Sequence, residues 1–571
     1  MAVGAAAAIV LAAGCTATVG TGGSGGGSGS GAAPGSGGPN GPGGTSGTGA
    51  PSGADGSVPD SGALSPPSPQ TETIGTVGIS TSPNKAIARL TNSQFVHSAA
   101  VLVGGPAVAG IESMLPEQDI QEGLYRNTGF AQQQQFSVVQ AYDGAASAIV
   151  ARITDWPAFH RLWGGCTQQT CIKTFIRAFA EAAFRRPVTD EDVNAFQPIV
   201  DAGVANMLNY DDTVQLIVRA TLQSPDFLYL FFDQSLTDFQ LASRLSYFIT
   251  DGPPDAELRT AAKGQLLRTP AGLNQQIDRL LGNDLTAFAQ AFAYDYLVLR
   301  KATTRNVNQT DNSTPVDPAT VVQFMASAVD SFASLVDRDQ PIGSILTTET
   351  FVVNDTTASW LAGAKSAEKS AETMMGPTAR YPFMGMLTHP ATLIAISNAV
   401  FGSTVSRGQF IASQMLCVPP APPPTAGAQS VDLSAKLPPN PTARDYGEAR
   451  MGDPRCGGCH AQFESYSFAL TKWGGDGLYK DDPRFNDAGP IKTGLGDITF
   501  DGYKTFLPKL AGSTQFQRCV TDHVVRYGLQ HTEYPPELVP AVLAAAQGTN
   551  ATITFRSLIR GLVRQPIFTT R

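Results

Sequence analysis

Apolar side chains recur every three to four residues along most of the chain after about residue 85, and this spacing predicts amphipathic helices. In the stretch KAIARLTNSQFVHSAAVLVGG, such a helix would bury one apolar face, and Thr91 is placed to cap it. The pattern therefore predicts helical packing from the first folded segment onward. The apolar residues of that face are Ile87, Leu90, Phe95, Ala99 and Leu102.

The same periodicity continues towards the C-terminus and is interrupted by turns that contain proline. Residues 170–203 predict two helices that break at Arg186-Pro187, with Thr189 capping the second. Residues 237–267 predict a helix, a turn at 252–254 and another helix. Alternating strand patterns are few, and the apolar TETFVVND is too short to assign, so we predict a mainly α fold of multi-helical modules. Further helices are expected at 272–300, 318–338 and 407–416.

The N-terminal residues differ from the rest in composition. An apolar run ends in LAAGC at Cys15 and resembles a bacterial lipoprotein signal cleaved just before that cysteine, although no Lys or Arg precedes Lys85. Residues 16–75 consist mostly of Gly, Ser, Pro, Thr and Ala, which predicts a disordered linker. We expect an exported lipoprotein, acylated at Cys15 and anchored to a membrane in the periplasm or on the outer cell surface. The alternative is an Ala-rich disordered N-terminus.

Changes in composition divide the rest of the chain into blocks. The boundaries fall at the end of the linker, at the polar stretch 363–374 and at the proline-rich CVPPAPPPTAG, which we expect to form an extended strap. The predicted organisation is a signal peptide, a linker, three helical blocks, a block that ends in the strap, and a C-terminal block: 1–15, 16–75, 76–160, 161–232, 233–375, 376–430 and 431–571.

Overall composition and motif searches exclude several classes of protein. The chain has 571 residues, is 42% hydrophobic and carries a formal charge of −9 without a basic run, which argues against nucleic acid as the main partner. It has no GxGxxG that opens a helix after a strand, no phosphate-binding loop, no HExxH and no GxSxG. Whether the chain is an enzyme stays open at this stage.

Four of the seven cysteines are candidates for disulfide bonds. Export permits disulfides, and Cys166 and Cys171 lie close in sequence, ahead of a helix, so they pair most naturally with each other. Cys417 would then pair with Cys519 and close a loop of about 100 residues, which is worth up to roughly 4–5 kcal/mol in the chain-entropy model. Four cysteines allow three connectivities, so the other two pairings remain open.

The C-terminal block contains Cys456-Gly457-Gly458-Cys459-His460, the spacing of a c-type haem attachment site. Both thiols would bond to the porphyrin, and His460 would bind the iron on its proximal side. Zinc is a rival, but no second CxxC or HxxxH supplies the other ligands. A thioredoxin-type dithiol lacks a surrounding βαβ pattern, and a structural disulfide or a vestigial motif is the last alternative. Haem c, with its iron, is the cofactor that the motif favours.

The residue that would bind the iron on the opposite side is less clear from the sequence. No methionine follows Met451, and the earlier ones reach the motif only if the chain folds back. His523 is a possible sixth ligand, although a packing residue of a late helix is the simpler interpretation. A filled sixth position would favour electron transfer, and an open one would favour ligand binding or peroxidase-like chemistry. Three other histidines are interpreted as structural: His97, His160 and His389.

Several blocks of the sequence, in order, resemble a planctomycete- and myxobacterial-type family of exported multi-block proteins of unknown function, with a cytochrome-c-like C-terminal module. The resemblance covers about residues 86–565 and includes FAEAAFRRPVTDEDV, QLASRLSYFITDGPPDAEL and CGGCHAQFESYSFALTKWGGDGLY. It implies that Cys456, Cys459 and His460 form a haem-attachment signature within a small cytochrome-c-like α module. Directly after that signature, Phe463 stands where the family has Met or Ile, and Glu464-Ser465 stands where it has Asp-Pro.

Three functional hypotheses follow from the sequence. The first is a lipid-anchored c-type haem protein with a role in electron transfer or haem-based redox chemistry, whose partner is a redox protein or an extracellular polymer. The second is a non-redox surface scaffold that binds polymer or protein and in which the CxxCH module is structural. A third, weaker hypothesis is a hydrolase or oxidase that acts on extracellular polymer while the haem passes electrons.

Overall fold

The computed structural model describes the chain from residue 86 onward, with gaps. The lipidation candidate Cys15 and the linker at 16–75 lie outside the described residues. The described segments are 86–116, 125–128, 136–304, 316–363, 373–397, 404–421, 431–491, 498–548 and 552–570.

Helices make up most of the described chain, which confirms the mainly α fold class. The α-helices are Asn92–Val103, Gly105–Val108, Phe136–Ala151, Trp156–Leu162, Ile172–Phe184, Asp190–Asn194, Gln197–Ala205, Tyr210–Leu222, Pro225–Leu228, Asp238–Thr250, Ala256–Lys263, Pro270–Leu281, Thr286–Tyr296, Arg300–Thr304, Pro318–Asp337, Ser344–Thr347, Asp355–Ala362, Pro390–Ala395, Thr404–Phe410, Ala443–Met451, Gly457–His460, Tyr503–Ala511, Thr514–Leu529, Leu538–Gln547, Phe555–Val563 and Pro566–Thr569. Turns of 3-10 helix lie at Glu112–Met114, Gln169–Cys171, Leu266–Arg268, Met386–Thr388, Ser434–Lys436 and Glu464–Leu470, and a π-helical turn lies at Ile411–Met415.

Threonine caps fix where several helices begin. Thr91 and Gln94 form a reciprocal capping box at the start of Asn92–Val103, as the sequence pattern predicts for Thr91. Thr189 caps Asp190–Asn194 in the same way, after the predicted break at Arg186-Pro187. Such caps satisfy backbone N–H groups that have no partner within the helix, so local sequence is enough to define these boundaries.

The described strands form three separate two-stranded antiparallel sheets. In the first, Ile87 lies opposite Phe231, and Ile87 is half exposed. The prediction that Ile87 belongs to the apolar face of the first helix is therefore wrong, because residues 86–89 pair as a strand with residues 229–232. The three pairs are Ala86–Arg89 with Tyr229–Phe232, Phe351–Val353 with Thr373–Met375, and Ala488–Ile491 with Ile498–Asp501.

Two of the further predicted helices differ from the structure in detail. The expected helical region 272–300 is interrupted after Gly282, which follows Pro270–Leu281, and a second helix begins at Thr286. The expected helix 407–416 begins at Thr404 and changes from α to π geometry after Phe410. The π turn ends just before Cys417, one of the two cysteines whose pairing would close the large loop.

Buried apolar residues form two hydrophobic clusters. One contains residues of the helices between Asn92 and Leu228. The other combines residues 230–568 with a few earlier ones, including Tyr125. The CxxCH segment lies within the sequence span of the second cluster, where Phe463 and Tyr466 are buried immediately after it. The block boundaries derived from composition stay a prediction.

Pro318–Asp337 is, among the described helices, the one with the length and apolar character to cross a membrane. More than half of its apolar window is buried inside the protein, and Phe324 and Phe332 are fully buried. Ser327 and Ser331 on the same helix bond to the backbone of Val352. These contacts are those of a core helix.

Candidate haem-attachment site

The CxxCH motif begins directly after a helix whose end is fixed by one buried carboxylate. Asp453 follows Ala443–Met451 and is 2% exposed, and it bonds to Lys436 and Arg455 at 2.9 Å each. These bonds, chiefly that from Arg455, hold the pKa of Asp453 below its usual range. The Asp453 carbonyl also accepts the N–H of Cys456 and of Gly457, at 3.0 and 2.7 Å. Asp453 therefore sets the direction in which the chain enters the motif.

The motif itself forms a single helical turn, Gly457–His460, preceded by Cys456. A Cβ atom at residue 457 would lie 2.4 Å from the carbonyl oxygen of Met451, so the tight approach to the preceding helix requires glycine there. Cys456 is half-buried, Cys459 is exposed, and both are free thiols. The structure therefore contains no disulfide between Cys456 and Cys459.

His460 is held by a carboxylate that the sequence analysis did not assign to the site. Its Nδ1–H donates to Oε1 of Glu464 at 2.6 Å, and Glu464 is fully buried. Glu464 is in turn paired with Arg450, whose Nε lies 2.6 Å from the same oxygen. Because Nδ1 carries the donated proton, the lone pair of His460 lies on Nε2. A fixed tautomer of this kind is the usual state of a metal-binding histidine.

Glu464 and Arg450 are the functional candidates that sequence reasoning missed. Glu464 entered the sequence analysis only as a departure from Asp-Pro, although it stands four residues after His460. On a helical turn, residues separated by four positions lie side by side, and this spacing could have identified the pair. Thr404 contacts both residues: its hydroxyl lies 3.3 Å from Glu464 and accepts a hydrogen bond from Arg450 at 3.0 Å.

These residues fit a covalently attached haem. Two free thiols, one half-buried and one exposed, come from the same helical turn as an imidazole whose Nδ1 is occupied and whose Nε2 is left for iron. The side chain of His460 is 27% exposed, so the ring is not sealed within the core. The donor set is that of the c-type attachment motif.

His523, the possible sixth ligand, has a different environment. It is 1% exposed and its Nδ1 lies 2.8 Å from the hydroxyl of Tyr125, while Tyr296 packs edge-on against the ring. Burial, with a smaller contribution from Arg526, lowers the pKa of His523 to about 3, and a contact with the Gln414 backbone acts in the opposite direction. Among the described residues, no hydrogen bond, ion pair or ring contact joins His523 to the CxxCH turn. Its role as an iron ligand stays a prediction.

The structure joins the other four cysteines in pairs. Cys166 is bonded to Cys171, with Cα atoms 6.2 Å apart, and Cys417 is bonded to Cys519, with Cα atoms 5.2 Å apart. This is the connectivity that the sequence favours. The second bond spans 102 residues and encloses the CxxCH motif in its loop.

The three histidines for which the sequence predicts a structural role each make polar contacts within the fold. His389 is fully buried, bonds to Ser327 and caps the helix that begins at Pro390, and burial lowers its pKa to about 3. His160 lies 2.7 Å from Asp211. His97 donates to the backbone of Asp251, and the Asp251 side chain raises its pKa to about 9.

Fold and site together define a mainly helical protein with a CxxCH turn in its C-terminal part. Three family models match the chain, each described as a protein of unknown function: PSD5 (DUF1595) over residues 171–231, PSD4 (DUF1592) over 236–361 and PSCyt3 (DUF1588) over 384–483. The chain therefore carries planctomycete-type PSD5 and PSD4 modules followed by a PSCyt3 module, which confirms the resemblance seen in the sequence. No curated protein and no solved structure matches it.

The PSCyt3 match contains the complete CxxCH arrangement. Its range of 384–483 includes both thiols, His460, Glu464 and Arg450, and it ends before Cys519 and His523. The match therefore assigns the site to a PSCyt3 module, whose name suggests a cytochrome-like domain, and it leaves the biochemical role of that module open.

Proposed function

We propose that this protein is an exported c-type haem protein that transfers electrons. The observation that carries the proposal is the geometry at His460, where the Nδ1–H donates to buried Glu464 at 2.6 Å and leaves Nε2 to bind iron beside two free thiols. When bound, the haem would supply one-electron iron chemistry. The PSCyt3 match over the same residues supports the proposal.

Each residue of the site has a separate task in this proposal. Cys456 and Cys459 attach the porphyrin through thioether bonds and prevent its dissociation. His460 binds the iron through Nε2. Glu464 orients the ring and makes the imidazole a stronger electron donor, since it accepts the Nδ1 proton. Arg450 holds that carboxylate in position within the protein interior, because its Nε lies 2.6 Å from the same oxygen.

The test of this function is covalent haem content after maturation. The full chain is produced in the periplasm together with a cytochrome c maturation system, purified, and assayed as a pyridine haemochrome after extraction with acidified acetone. We expect one haem per chain that resists extraction. A folded, exported protein without covalent haem would contradict the proposal and favour the surface scaffold.

A second prediction concerns the reduction potential of the matured protein. In Glu464→Gln, a neutral amide replaces the carboxylate that accepts the His460 proton, so the ferrous form becomes relatively more stable. We expect the potential to rise on the order of tens of millivolts in a redox titration. Glu448→Gln is the matched control, because Glu448 is half exposed and pairs with Arg444 instead. Equal potentials in the two variants would show that Glu464 does not act on the iron ligand.

We also propose that acylation at Cys15 anchors the protein to a membrane, where it meets a redox protein or an extracellular polymer. The LAAGC sequence supports this proposal, as does the presence of two disulfides, since disulfides persist in oxidising compartments. Cells grown with labelled palmitate should label the wild-type chain. Cys15→Ala should abolish the label and release the protein from the membrane fraction. Label retained in that variant would exclude Cys15 as the anchor.

A further inference from the structure

A second cluster of possible metal ligands lies outside the CxxCH turn. Cys519 and His523 are four residues apart on the helix Thr514–Leu529, so their side chains lie on the same face. Cys417 approaches that face from the end of the π turn. The two sulfurs and one ring nitrogen of His523 lie within 4.8 Å of one another. In the structure, the two sulfurs are joined as a disulfide.

The imidazole of His523 provides an independent indication of a ligand. Its ring is 1% exposed, and its Nε2 makes no hydrogen bond of normal geometry within the described residues. A buried polar atom without a partner reduces stability, and proteins usually avoid it. The other nitrogen, Nδ1, lies 2.8 Å from the Tyr125 hydroxyl. In the tautomer whose Nδ1–H donates to that oxygen, Nε2 carries the lone pair that a metal ion needs. The Gln414 backbone also contacts the ring, and zinc would replace that contact.

A carboxylate lies at the edge of the same cluster. Oδ2 of Asp522 is 3.7 Å from the sulfur of Cys417, and the Asp522 side chain is 17% exposed. Arg526 and Tyr534 hold this carboxylate at 2.6 and 2.5 Å. Asp522 therefore places a carboxylate oxygen beside Cys417, next to the group formed by the two sulfurs and the imidazole nitrogen.

We propose that the dithiol form of this cluster binds a zinc ion through Cys417, Cys519 and His523, with Asp522 as the fourth ligand. Two thiolates and a nitrogen form a typical donor set for zinc. In a tetrahedral site with Zn–S bonds of about 2.3 Å, the sulfurs lie about 3.8 Å apart. In the structure the two sulfurs are bonded to each other, so they reach that spacing only by moving apart when the disulfide opens, while a ring nitrogen of His523 already lies within 4.8 Å of both.

The chemistry of the change balances with a dithiol as the reductant. Exchange with the dithiol breaks the Cys417–Cys519 bond, gives two protein thiols and converts the reductant to its own disulfide. Binding of Zn²⁺ then releases the two thiol protons. The disulfide and the zinc site would both close the loop of 102 residues that contains the CxxCH motif. The loop would thus remain closed under oxidising and reducing conditions.

The experiment uses a full-length chain in which Cys417 and Cys519 are the only cysteines. Cys15 and the other four cysteines are replaced by serine or alanine, which removes haem attachment and competing thiols. The oxidised chain and the phosphine-reduced chain are each titrated with Zn²⁺ and Co²⁺, and far-UV circular dichroism checks the fold. We expect no binding when the chain is oxidised and about one ion per chain when it is reduced. A reduced, folded chain that binds neither ion would overturn the proposal.

Two further measurements identify the ligands. X-ray absorption of the zinc-loaded parent chain should show two sulfur neighbours at about 2.3 Å and two lighter neighbours at about 2.0 Å. His523→Gln should lower zinc affinity by about 100-fold or more, whereas His160→Gln, which also replaces a buried histidine, should not change it. One sulfur in the absorption spectrum, or equal affinity in a folded His523→Gln chain, would exclude the site. The absorption measurement needs no substitution at His523, so it decides the question even if that variant does not fold.

Discussion

Replacing both cysteines of the CxxCH turn with alanine should abolish covalent haem attachment while leaving the protein folded. Each thiol forms one thioether bond, so the double variant has none, and a single variant has one. We expect the haemochrome band of Cys456→Ala or Cys459→Ala to move to longer wavelength, because one vinyl group stays conjugated with the porphyrin. Since Cys456 is only half-buried and Cys459 is exposed, the free energy of unfolding should change by about 0.5 kcal/mol or less before haem is attached.

The matched control for this prediction is the double variant Cys166→Ala, Cys171→Ala. It also removes two cysteines, but these belong to a disulfide near the start of the helix Ile172–Phe184. Its haem content should equal that of the wild type if it is exported and folded. Full covalent haem in the Cys456→Ala, Cys459→Ala chain would show that other side chains hold the porphyrin, and the assignment of the motif would fail.

Features that depend on neighbouring residues could be predicted from the sequence. The capping threonines at 91 and 189 each accept from a backbone N–H three positions away, so short stretches of sequence are enough to predict their effect. The turn at 252–254 likewise separates two helices as expected. The CxxCH motif belongs to the same category, because both thiols and the imidazole come from one helical turn.

Glu464 shows how information present in the sequence can be missed. Its spacing of four residues from His460 places the two side chains together on a helical turn. The resemblance to the family pattern, which has Asp-Pro here, marks Glu464 only as a substitution. An acidic residue stands in both patterns. The contribution of Arg450 was harder to find, because it comes from the preceding helix and only the fold brings it to Glu464.

Contacts between distant parts of the chain could not be predicted. His523 lies against Tyr125, which is 398 residues earlier, and sequence periodicity contains no information on such a contact. The strand that contains Ile87 was mistaken for helix for a related reason. Its partner, residues 229–232, lies about 140 residues away, and pairing with it overrides the local helical pattern.

The CxxCH turn is short and partly exposed, so residues before and after it must hold it in place. Asp453 fixes the chain before the motif and Glu464 fixes it afterwards. The 3-10 turn Glu464–Leu470 then packs against the helix Thr404–Phe410, where a Cβ atom at Gly408 would lie 2.4 Å from the Phe463 carbonyl. The position of His460 therefore depends on how firmly this helix is held to the segment that follows the motif.

Arg407→Met should strongly destabilise the protein, because Arg407 joins the helix Thr404–Phe410 to the segment that follows the CxxCH motif. It is 1% exposed and donates to the carbonyls of Leu470, Trp473 and Gly474 at 2.7–2.8 Å. Burial lowers the pKa of Arg407 to about 10, so the side chain is still charged at neutral pH. Methionine fills much of the volume but leaves these buried carbonyls without a donor. We expect a loss of about 3–5 kcal/mol in the free energy of unfolding.

Denaturation of the haem-free chain in urea, followed by circular dichroism, measures this loss without interference from the cofactor. Arg484→Met is the control, because Arg484 is exposed and its ion pair with Asp482 should contribute less than about 1 kcal/mol. Arg407→Lys keeps the charge but has a single donor nitrogen, so its stability should lie between those of the wild type and Arg407→Met. If Arg407→Met proved as stable as Arg484→Met, the carbonyls after the motif would not need this guanidinium. The segment that supports His460 would then be held by its other contacts, among them the bonds of Glu464 to Arg450 and Thr404.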